Sequence, residues 1–447
     1  MRFLRVILCA LCISVVSNAV WAVDLRLIDA VKRRDHKLVA SLISAQSVNA
    51  AQPDGATALA WAAYLDDRES ANALLAAGAK INTADDYGET PLTLACSTGD
   101  AALVHKLLEA GAEPKAARWD GETALMIAAN SGSIDTVRDL IAHGAPVNAA
   151  ESRKGQTALM WAAAEGHSDV VKFLIDKGAD VTTASKRGFT PLVFAAVKND
   201  ANSVRSLVGA GADANYKLPD GTAALTVAAS YKSSAAAVAL VDAGANPNVA
   251  DRGGNTPLHF AAQAGDVKLI QALLAKGANP NAKTAKVNAG GRGGGGGFFR
   301  IVGEQTPLMM AAKANHVEAM HALVAGGADP KLKGQDDGTL LMAAAGSGHV
   351  EAVKYAYELD PDVKVVNDQG QTLIHASVTG TMQTSTQAQI CEVIRFLAEK
   401  GAPLDEKDAR GRTPIVVADV LPIDKAVELL TDLIIKSGAQ PKIRSKR

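Results

Sequence analysis

Aromatic side chains make up only 4% of this 447-residue chain, so an interior built on large flat rings is excluded. Alanine, leucine and valine must supply the core instead, which works only where helices approach closely. Charge of one sign is also missing. Lys and Arg number 46 against 47 Asp and Glu, and the resulting net charge of −1 gives no general pull toward nucleic acid or anionic membrane. Catalytic and metal-binding phrases are missing too. No Gly-x-Ser-x-Gly elbow occurs, and no two of the nine histidines are spaced as a His-x-x-x-His pair. The sequence therefore points to no catalytic residue, no cofactor and no metal.

Long apolar runs are absent as well. Arg2 and Arg5 precede a run from Val6 to Val16, and Val20-Trp21-Ala22 offers small-residue exit positions. That run is too short for a comfortable membrane span and has the pattern of a cleavable secretory signal over 1–22, with a retained N-terminal anchor as the alternative. Cys9 and Cys12 lie inside it, each preceded by leucine, which argues against lipidation. The expectation is export to the periplasm of a Gram-negative cell or secretion beyond it, with no membrane span after cleavage.

What the chain does contain is a recurring phrase. Gly55 to Leu59, Gly88-Glu89-Thr90-Pro91-Leu92, Gly121 to Leu125, Gly155 to Leu159 and Gly188-Phe189-Thr190-Pro191-Leu192 are followed by six further copies, the last at Gly411 to Ile415. The step is about 33 residues, apart from one of about 50 and one of about 41. An array of similar units is implied, and Cys96 and Cys391 fall about eight units apart in it. At roughly 10 Å per unit those thiols cannot meet in a disulfide, and stability must come from stacking.

The unit beginning at Asp86 shows the local logic. Asp86-Tyr87-Gly88 is turn chemistry, Thr90 can cap a helix, and Pro91 takes the first helical position, where no amide hydrogen is needed. A break near Gly99 leads to a second helix over 101–110, with Leu103, Val104, Leu107 and Leu108 at the spacing of one buried face. Neither helix can bury that face alone.

These residues resemble the ankyrin repeat family. Its period and its Thr-Pro-Leu-His-x-Ala signature are matched most fully by Thr256-Pro257-Leu258-His259-Phe260-Ala261, and its Gly-His start of the second helix by Gly166-His167 and Gly348-His349. The resemblance runs from about Asp24 to Gly438. It implies an all-α solenoid of about twelve stacked repeats, helix-turn-helix plus β-hairpin fingers, over 23–437. Residues Asp24 to Ala51 read as an N-terminal capping pair, and Ala426 to Lys436 as the last helix. A basic tail would follow over 438–447. His259 and His375 take the position where the family uses the ring to bond neighbouring loops.

Two stretches break the pattern. A glycine-rich insertion at 283–303 carries Phe298 and Phe299 behind five glycines, and it reads either as a mobile arm presenting them to a partner or as a tolerated insertion whose rings fold back. It is also expected to be the weakest coupling in the array. A Thr, Ser and Gln-rich stretch over 377–389 reads as a solvated loop between two helices.

The expected function is an exported, non-enzymatic protein-binding scaffold, monomeric, using a concave face and its fingers. The alternative is a secreted effector or toxin-associated factor acting outside the producing cell. Trp61 and Trp161 fall where the family buries leucine and read as core. Trp119, Tyr87 and Tyr216 sit on expected fingers, where an exposed ring can anchor a partner. Arg118, Arg153, Lys154, Lys186, Arg187, Lys217 and Arg252 lie on the same fingers. In register they would form a basic stripe, suited to an acidic protein surface or an anionic envelope polymer. Together with Phe298 and Phe299 these are the candidate site residues.

Overall fold

The computed structural model describes residues 24–287, 302–380 and 385–441. These contain 24 helices in twelve antiparallel pairs, and no extended sheet among the described residues. The chain divides into two compact units at Ala179/Asp180. The first holds five pairs, from Arg26–Lys32 with His36–Leu42 to Ala158–Glu165 with Ser168–Asp176. The second holds seven, from Pro191–Lys198 with Ala201–Gly209 to Pro414–Val420 with Asp424–Lys436. Within each unit the first helix of a pair packs on the first helix of the next.

The caps form as the sequence dictates. Thr90 Oγ1 accepts from the Thr93 amide at 3.2 Å, and Thr93 Oγ1 accepts from the Thr90 amide at 2.8 Å, so two otherwise unpaired donors at the start of Pro91–Thr98 are satisfied. Gly99, in the left-handed region, ends that helix, and the Asp100 carboxylate caps the next one, Ala101–Glu109. Leu103, Val104, Leu107 and Leu108 are buried, as the spacing predicts. Each such leucine contributes about 2 kcal/mol of burial.

At the far end of the pairs, asparagines tie several helix pairs to the next one. Asn82 Nδ2 donates to Gly111 O at 3.1 Å while its Oδ1 accepts from the Glu113 amide at 2.9 Å. Asn248 repeats this with Gly277 O at 2.9 Å and the Asn279 amide at 2.7 Å. His259 and His375 do bond across pairs. Nδ1 of each accepts from its capping threonine amide, and Nε2 lies 3.0 Å from the carbonyl of Gln305 and of Arg412 respectively. Burial holds both rings below the ordinary imidazole value, against the opposing pull of those carbonyls.

The hairpin fingers are present in short form, and among the described residues four of them are closed by an isolated antiparallel bridge, such as Ala117 with Thr123 and Lys217 with Ala223. Two other expectations are corrected. The stretch 377–389 is not all loop, because Ser377 to Thr379 end one helix as buried residues and Gln387 begins the next, Gln387–Glu399. The compact units part at Ala179/Asp180, well before the glycine insertion, and the first helices of the pairs on either side of that insertion, Pro257–Ala264 and Pro307–Lys313, pack together. The insertion leaves and re-enters through a bonded neck. The Thr284 amide donates to Gln305 O at 3.0 Å, the Ala285 amide to Gly253 O at 2.8 Å, and the Gln335 side chain clamps Val287 N and O at 2.7 and 2.8 Å. The expected secretory signal over 1–22, Phe298 and Phe299, and all but the start of the basic tail lie outside the described residues.

Candidate functional site

The finger turns of the first unit are joined backbone to backbone. The Asp86 amide donates to Asp54 O at 2.8 Å, the Trp119 amide to Tyr87 O at 3.1 Å, and the Ser152 amide to Asp120 O at 2.8 Å. Such close approach requires Gly88, whose φ is +77° and where an added Cβ would sit 2.8 Å from the Trp119 nitrogen. The side chains of successive turns are thereby held in register.

Between the turns lies a surface cleft of about 480 Å³, lined by Tyr87, Glu89, Arg118, Trp119, Asp120, Glu122 and Arg153. That volume falls in the range of about 300 to 1,000 Å³ common for ligand sites. Four of the sequence-derived candidates, Tyr87, Arg118, Trp119 and Arg153, therefore meet at one place. Tyr87 and Trp119 are 63% and 68% exposed, so neither ring packs in a core.

The two arginines differ. Arg118 is mostly covered and lies 2.7 Å from both Glu89 and Glu122, so its charge is answered twice over. It is not the outward cation that the sequence suggested. Arg153 is 64% exposed, with its guanidinium carbon 6.0 Å from the Trp119 ring centroid and Nη1 3.8 Å from Asp120 Oδ2. Lys154 is exposed on the same turn. The carboxylate of Glu151 anchors this turn by accepting from the amides of Arg153, Lys154 and Gln156 at 2.6 to 2.9 Å. Burial opposes its ionisation, but those amide donors outweigh it and hold the carboxyl below its ordinary value.

In the second unit Lys186, Arg187, Lys217 and Arg252 are exposed on their turns, and Arg252 Nε donates to Asp220 O at 3.1 Å. Tyr216 is half-buried, with its hydroxyl donating to Gly188 O at 2.6 Å. It braces the turn rather than standing out as an anchor.

Trp61 and Trp161 correct a second expectation. Neither is core; both are half-buried on their helices. Trp61 carries Lys32 Nζ at 4.1 Å over its ring, donates to Gln52 Oε1 at 2.8 Å, and meets the exposed Tyr64 edge-on. Leu94 is half-buried at the same position of the Pro91–Thr98 helix, and Phe194, Phe260 and Met310 are half-buried there in the second unit, whereas Ile127 and Val227 at that position are buried. This row was missed in the sequence, although a sign was present. Four residues after the capping position the first eight copies read Trp, Leu, Ile, Trp, Phe, Val, Phe and Met, whereas the position two residues after it is leucine in all eight.

Cys96 and Cys391 are buried and unpaired, and burial raises both thiols above their ordinary range. Among the described residues no group of three or more His, Cys, Asp or Glu could hold a metal ion, and no helix is long and apolar enough to cross a membrane. A family model described as ankyrin repeats matches residues 27–118, 99–185, 186–284 and 308–408. No curated protein matches the chain.

Proposed function

The chain belongs to the ankyrin repeat family, and from that premise we propose that it is an exported, non-enzymatic scaffold that binds another protein through its finger turns, with the half-exposed rings of Trp61 and Trp161 adding apolar surface in the first unit. The family implies protein binding. The observation that carries the choice of surface is the exposure of Tyr87 and Trp119 on turns locked by backbone hydrogen bonds. A rigid display of this kind loses little ordering entropy on docking, and exposed aromatics on it suit binding anchors. In the second unit the exposed Arg187, Lys217 and Arg252 favour an acidic patch on the partner.

Export rests on the 1–22 pattern, and the first helix among the described residues begins at Arg26. Epitope-tagged full chain is expected in the periplasmic fraction. Culture supernatant would favour the effector reading, and retention in the cytoplasm would end both. For binding, the full chain is used as bait in its own envelope extract beside a Trp119→Ala, Arg187→Glu double variant. The variant should lose most of the retained partner while its thermal midpoint stays within about 2 °C, since both side chains are on the surface. Equal retention by the two baits would move the interface elsewhere.

A further inference from the structure

The charge of the cleft contradicts a purely basic reading of the fingers. Over the first unit's turns, residues 51–56, 84–89, 117–122 and 150–156, seven carboxylates stand against three cations. The carboxylates are Asp54, Asp85, Asp86, Glu89, Asp120, Glu122 and Glu151, and the cations are Arg118, Arg153 and Lys154. Inside the cleft, Glu89 and Glu122 share one guanidinium, which leaves that trio with an excess negative charge. Two exposed rings line the same space. Aromatic faces beside uncompensated carboxylates attract cations twice, through the ring quadrupole and through the net charge.

Arg153 already demonstrates the preference. Its guanidinium carbon lies 6.0 Å from the Trp119 ring centroid and its Nη1 3.8 Å from Asp120 Oδ2, both loose contacts on a side chain that is 64% exposed. We infer that this cleft receives a lysine or arginine side chain of the bound protein, and that Arg153 is an internal stand-in which the incoming cation displaces. The inference rests on the protein-binding reading and gives this one cleft its partner chemistry. An acidic segment is the competing occupant, and it would need Arg153 to stay and to bind it.

The test is a titration of the ¹⁵N-labelled full chain with the blocked tripeptides Gly-Arg-Gly, Gly-Lys-Gly and Gly-Glu-Gly, reading the Trp119 indole resonance assigned through Trp119→Phe. The arginine and lysine probes should shift that resonance saturably and the glutamate probe should not. Arg153→Ala, which removes the competitor and leaves the fold untouched at an exposed site, should tighten the arginine probe by about threefold. Glu122→Gln should weaken it by a similar factor. If Glu122→Gln disturbs the turn, Arg153→Ala alone still decides. Weakened binding in Arg153→Ala, or a response to the glutamate probe, overturns the inference in favour of an acidic segment. No response to any probe while the full chain still captures its partner overturns it too and leaves the scaffold reading standing. Loss of capture as well would sink the scaffold reading separately.

Discussion

The finger turns of residues 51–156 and those of residues 184–255 are built on one plan and carry opposite charge. The first set holds seven carboxylates and three cations, whereas the second holds Lys186, Arg187, Lys217 and Arg252 against Asp220 and Asp251. The first set turns two aromatic rings outward around a cleft; in the second, Tyr216 folds onto the Gly188 carbonyl. A repeat scaffold thus separates what holds a turn from what the turn presents. Gly88 and Gly188 both have φ near +80°, while the neighbouring side chains are free to diverge.

The largest expected effect tests whether the two units are independent. Leu140 and Leu273 are fully buried at matching positions, one in each unit, and truncation of either to alanine should cost about 3 kcal/mol. Hydrogen exchange should show faster exchange over 124–176 for Leu140→Ala and over 257–325 for Leu273→Ala. A spread of either effect across the whole chain would erase the division.

A smaller effect separates scaffold from display. Gly88→Ala places a Cβ against the Trp119 nitrogen, and Gly188→Ala places one against the Pro219 ring; both also strain a positive φ. Each should lower stability by about 2 kcal/mol in urea unfolding. Only Gly88→Ala should also abolish the Trp119 response to a cationic probe. If both variants abolish it, the cleft is not a local property of the first unit.

The smallest effect is a response to acid. His259 and His375 are buried and kept neutral in the second unit, with folded values below that of the unfolded chain. The stability they contribute is complete above the ordinary imidazole value and falls as pH drops through the lowered one. Amides around 256–262 and 372–378 should therefore exchange faster between pH 7 and pH 5, with no matching change around 123–129. Uniform behaviour across the chain would remove this contrast.

Much of the fold was legible because its determinants are local. A capping threonine, a proline at the first helical position and a left-handed glycine each act within a few residues, so Thr90, Pro91 and Gly99 mark their helix without reference to the rest of the chain. The finger positions of Tyr87, Trp119 and Arg153 followed from the same register. Arg118 was misread because its partners Glu89 and Glu122 lie on two turns, and counting cations alone left both out. Trp61 and Trp161 were misread because hydrophobicity does not say which way a helix face points. Only comparison among the repeats separates the variable fourth position from the constant second one.

The bonded neck at Thr284, Ala285, Val287, Gln305 and Gln335 has a practical meaning. Because Thr284 bonds to Gln305, Ala285 to Gly253 and Val287 to Gln335, the longest step in the repeat is closed by the array's own backbone and amide groups. Gln335, two repeats' worth of turns from Gly253, thus acts as a latch: removing its amide frees both the Val287 nitrogen and its carbonyl, and the seam between consecutive repeats loses a two-bond clasp at that step.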